Sequence, residues 1–85
     1  MKYIRFEVPE TGTSFVMAFS GHVLHEEVKR MVAAVWPGYK PVSAAKVRVD
    51  ESGGVGVYGH SHSLKLEPDH DIDQHMLEYA LKRED

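Results

Sequence analysis

The chain has 85 residues, room for one hydrophobic core, and no cysteine, which excludes disulfides and thiolate metal sites. Its formal charge of −3 is unevenly placed: residues 1–66 carry eight Lys/Arg against six Asp/Glu, and residues 67–85 carry two against seven. The body is mildly basic and the last segment acidic, so the overall sign excludes no class of partner, and no apolar run approaches the roughly 20 residues of a membrane-spanning helix.

Lys2 to Val8 alternates, with Ile4, Phe6 and Val8 on one face and Tyr3, Arg5 and Glu7 on the other, which predicts a half-buried strand. Pro9 to Thr13 is rich in turn formers and reads as a hairpin loop. Ser14 to Phe19 returns as a second strand, with Phe15, Met17 and Phe19 inward. A helix is expected over Ser20 to Trp36, because Leu24, Val28, Met31, Val32 and Val35 recur at spacings of three and four. Ser20 is placed to cap its first turn, and Pro37 ends it.

Val42 to Asp50 alternates again, with Ala45, Val47 and Val49 opposite Lys46 and Arg48. Glu51-Ser52-Gly53-Gly54 makes a second hairpin loop, leading to a fourth strand over Val55 to Leu66. The apolar phase of that strand changes from odd to even positions, which predicts a bulge or break within Gly59 to Ser63. A last helix is expected from about Asp69 to Arg83. Its stripe of Ile72, Met76, Tyr79 and Ala80 would cover the sheet, leaving Leu77 and Leu81 as surplus.

The order ββαββα implies a single α+β domain of two hairpin–helix units, about 1–38 and 39–85. The economical arrangement is one four-stranded, mainly antiparallel sheet with both helices on one face.

The chain contains no Gly-x-Ser-x-Gly elbow and no Walker lysine, and its glycine-rich stretch joins two strands rather than a strand and a helix. His60 and His62 would project from one face of a regular strand and could share a divalent metal, with Asp69, His70 or Asp71 close behind. The plain alternative is two partly exposed histidines near a sheet end. His22 and His25 open the first helix beside Glu26, but His-x-x-His alone is not a metalloprotease motif, and His22 and Glu26, one turn apart, can pair on the solvent side. Asp71, His75 and Glu78 read as a solvated face.

With both helices on one face, the other would display Tyr3, Arg5, Val16, Ala18, Lys46, Arg48 and Tyr58. Interleaved aromatic and cationic residues suit a partner protein, a second copy, or single-stranded nucleic acid. The leading expectation is a small cytoplasmic interaction or regulatory module without catalysis or cofactor, self-associating as a dimer and not engaging membranes. A single-stranded nucleic-acid binder, and a metal-binding protein or metal-dependent enzyme centred on His60 and His62, are the alternatives.

Overall fold

A computed structural model describes residues 1–82 and gives six elements in the expected order. They are β1 (Lys2–Glu7), β2 (Ser14–Phe19), α1 (His25–Val35), β3 (Lys40–Val49), β4 (Val55–Tyr58) and α2 (His70–Lys82). Arg83, expected in the last helix, lies outside the described residues. The strands form one open antiparallel sheet in the order β2-β1-β3-β4, an α+β fold in which each hairpin–helix unit adds its strands to a common sheet.

The two helices lie on opposite faces of this sheet, not on one. Adjacent residues of a strand point to opposite faces, and β1 divides accordingly. Ile4 and Phe6 join Val28 and Val32 of α1, with Phe15, Met17 and Phe19 packed alongside. Tyr3 joins Leu77 of α2, together with Ala45, Val47, Val55 and Val57. The expected register failed at β3: Tyr3 pairs with Ala45 and Ile4 with Ala44, so Ala45 and Val47 share a face with Tyr3. Alternation within a strand fixes which residues travel together, but not which neighbouring face they join. Each helix therefore covers an apolar surface of its own.

Pro41 disturbs the β1–β3 ladder. Arg5 pairs with Ser43 but Phe6 with Pro41, leaving Val42 as the extra residue of a bulge. A proline lacks the N–H that a ladder needs, and a bulge accommodates that lack.

Helix α1 begins at His25, later than expected. Ser20 caps a preceding turn instead, its hydroxyl accepting from the His22 N–H at 3.2 Å. At the true start the Glu27 carboxylate accepts the Leu24 N–H at 2.9 Å, which is half of a capping box. The fourth strand ends at Tyr58 rather than Leu66. Gly59 turns away with φ +73°, and the chain folds back so that Ser61 and Leu66 form an isolated bridge. This break falls within the stretch where the apolar phase changes. Leu64 and Leu66 then pack on the α1 side of the core.

Candidate functional site

Polar side chains gather at two places, one on each face of the sheet. On the α2 face, Asp73 is fully buried and accepts four hydrogen bonds. Its Oδ2 takes the Tyr3 hydroxyl at 2.5 Å and the Asp69 N–H at 2.9 Å, and its Oδ1 takes Arg5 Nε at 2.7 Å and the Ser43 hydroxyl at 2.9 Å. Arg5 also reaches the Ser14 hydroxyl through Nη1 at 3.3 Å. Burial and the neighbouring Asp73 carboxylate push the Tyr3 hydroxyl far above its usual range, so it stays a donor. Every buried side-chain nitrogen and oxygen among the described residues has a partner. The cluster is a charge-balanced anchor that fixes the rotation of α2 on the sheet.

That anchor explains the face α2 presents. Asp73, Leu77 and Leu81 repeat every four residues and point inward, with Leu77 fully buried. Ile72 and Tyr79, expected to cover the sheet, are 46% and 68% exposed. The supposed surplus residues pack the core, and of the supposed core stripe only Met76 is half-buried, its sulfur 3.9 Å from the Ser14 hydroxyl.

On the α1 face a pocket of about 410 Å³ opens at the end of the sheet where β1 begins. Its walls include Lys2, Leu24, His25, Lys46, Gly59, His60, His62 and Ser63. Lys2 and Lys46 are directly paired across β1 and β3, and Lys46 is paired in turn with Tyr58 of β4. Beside this row, the Arg48 guanidinium lies over the Tyr58 ring at 5.5 Å from its centroid. The His60 and His62 rings stand 6.4 Å apart at 54° in the turn after β4, and both are exposed.

His25, in the first turn of α1, is only 6% exposed. Its Nε2 lies 3.0 Å from the Ala45 carbonyl, and its ring meets Phe19 edge-on at 5.6 Å. Burial lowers its pKa, Lys2 and Lys46 add to that, and the Ala45 carbonyl works against it. The signal was present: positions 25, 28 and 32 lie on one helical stripe, and all three are buried.

The seven residues expected on one open face are therefore divided. Tyr3, Arg5, Val16 and Ala18 lie on the face covered by α2, with Tyr3 fully buried and Arg5 held by Asp73. Lys46, Arg48 and Tyr58 lie exposed on the opposite face, where they join Lys2 and the two histidines of the turn. No group of three or more His, Asp or Glu side chains among the described residues is placed to hold a metal ion. His25 shares the pocket with His60 and His62, but the Ala45 carbonyl is within hydrogen-bonding distance of its Nε2. Asp71, His75 and Glu78 do gather on α2, along a shallow polar depression.

A further groove of about 400 Å³ runs between β2 and α2, lined by Ser14, Phe15, Val16, His75, Met76, Tyr79 and Ala80. Among the described residues no helix is long and apolar enough to cross a membrane. No protein-family model matches this chain, and neither does any curated protein or solved structure.

Proposed function

We propose that the protein is a small cytoplasmic interaction module, acting without catalysis, that self-associates through β2. The observation that carries this reading is the character of that edge. Ser14–Phe19 reads SFVMAF, with no charge and no proline, and its register with β1 runs unbroken over all six residues. An edge strand exposes unpaired N–H and C=O groups, and monomeric proteins blunt such edges with charges, proline, bulges or short length. The opposite edge, β4, is only four residues long. β2 has none of these protections, and every one of its residues is half-buried.

A second copy is the occupant that suits it. Antiparallel pairing of β2 with its own mate about a twofold axis satisfies both edges at once. Met76 and Tyr79, which line the groove beside β2, would then flank the new strand. The lack of cysteine suits a reducing compartment.

Sedimentation of the wild type at micromolar concentration is expected to give a mass near twice 9.6 kDa. Val16→Lys, which sets two ammonium groups near each other across the axis, is expected to give a monomer with an unchanged far-ultraviolet spectrum. A wild type that stays monomeric up to millimolar concentration removes the proposal.

A further inference from the structure

We infer that the pocket where Lys2 and Lys46 lie side by side, next to His60 and His62, is a binding site for a phosphate group. The first ground is an unfavourable contact within the fold. Directly paired residues of antiparallel strands hold their Cβ atoms about 4.5–5.5 Å apart on one face, and like charges placed there repel. Lys2 and Lys46 are such a pair. Among the described residues, no carboxylate lines the pocket to offset them.

The surrounding charges do not supply one either. From α1, Glu26 is paired with Arg30 at 2.9 Å, and the Glu27 carboxylate accepts the Leu24 N–H. From the turn after β4, Lys65 and Glu67 lie in a smaller neighbouring cavity that shares the His60 and His62 walls. Contrast Arg5 on the other face, whose charge meets Asp73 at 2.7 Å.

The second ground is unused donor capacity. Lys2 gives one N–H to the Val23 carbonyl at 3.1 Å, which leaves two of the three an ammonium carries. The Lys46 ammonium makes no hydrogen bond or ion pair with a described residue. The imidazoles of His60 and His62 and the hydroxyl of Ser63 add donors from a different chain segment. Gly59 makes this convergence possible: its positive φ, which glycine adopts without steric cost, turns the chain back past the Lys46 stem.

A dianion with several acceptor oxygens matches two ammonium groups and donors from several directions better than a single carboxylate does. The volume of about 410 Å³ also exceeds one phosphate ion, and Leu24 gives one wall an apolar surface. The phosphate is therefore carried on a larger molecule, either a phosphorylated small molecule or a nucleic-acid strand. This inference does not rest on self-association, and a monomeric protein leaves it standing.

The test is thermal melting of the whole protein at constant ionic strength, with chloride replaced by inorganic phosphate. A ligand that binds only the folded state raises the melting temperature by mass action. Phosphate also stabilises proteins generally by exclusion from their surface, so the readout is the difference between variants. The saturable rise is expected to be lost in Lys46→Gln and kept in Lys40→Gln, at the other end of β3. A titration then separates the two sources. A trinucleotide with a 5′-phosphate binding at least tenfold tighter than one without assigns a phosphate monoester. Equal affinities that grow with strand length assign the nucleic-acid backbone. Either result is expected to weaken tenfold or more in Lys46→Gln. Equal shifts in wild type and Lys46→Gln overturn the inference. So does the absence of any phosphate shift, including the case where zinc alone stabilises the protein and His62→Ala abolishes that effect.

Discussion

Lys2 and Tyr3 are neighbours in sequence, yet they open two polar sites of opposite character on opposite faces of one sheet. Tyr3 leads into a buried cluster in which each donor meets an acceptor and the Arg5 charge meets the Asp73 charge. Lys2 leads into an open pocket where cationic side chains face one another with no acid from the described residues. The first arrangement is complete within the chain and serves the fold. The second is incomplete within the chain, and incompleteness is what distinguishes a binding site from a structural network.

The contrast makes opposite demands on substitution. Asp73→Ala is expected to have the largest effect, because it leaves the Arg5 guanidinium and the Tyr3 hydroxyl without their acceptor under α2. Breaking a buried ion pair by removing one partner costs about 3–5 kcal/mol. A domain this small has little more stability than that, so denaturant unfolding should find the variant largely unfolded in water. A variant as stable as wild type would show that the cluster does not hold α2 in place.

A smaller effect is expected from acid, and it belongs to the pocket side. His25 is held below its ordinary pKa by burial, with Lys2 and Lys46 reinforcing this. An unfolded histidine takes up its proton near pH 6.5, above the folded value. As pH falls through and below that point, the unfolded state binds more protons and stability declines. Unfolding measured from pH 7.5 down to 5.5 should therefore fall more steeply in wild type than in His25→Gln. Parallel curves would dismiss His25 as the source.

The smallest effect sharpens the comparison most. Lys46→Gln removes a cation with no ion-pair partner among the described residues, so stability is expected to change by no more than about 0.5 kcal/mol, and in the favourable direction at low salt. A clear loss of stability, measured by chemical unfolding without phosphate, would mean that Lys46 has a structural role like that of Asp73.

The fold class was legible because strands and helices differ in period, and both signals were clear in Lys2–Val8 and in Leu24–Val35. The sites were not, and the reason is one of register. Tyr3, Arg5 and Val16 do share a face, as alternation predicts, and Lys46 and Arg48 share another. Nothing local states that Ala45 rather than Lys46 sits opposite Tyr3, or that Pro41 shifts the ladder past Val42. Asp73 was overlooked because an acid in a helix's first turn is ordinarily a surface residue favoured by the helix dipole. Its burial depends on Tyr3 and Arg5, which lie far away in sequence. For α2, an apolar-stripe argument chose Ile72, Met76 and Tyr79 when one buried carboxylate set the rotation instead.

The Tyr3–Asp73 contact spans 70 positions of sequence. Few contacts in so short a chain close a longer loop, and such contacts form only after much of the rest is in place. During synthesis β1 and β2 emerge long before α2 exists. The β1–β2 hairpin then waits with Tyr3 and Arg5 unsatisfied on one side and the uncharged β2 edge unpaired. An exposed hairpin of this kind is vulnerable to association with other nascent chains until the last helix docks. Asp73 thus marks the end of the risky interval in the life of each new molecule: its arrival is the moment at which the sheet becomes covered on both faces.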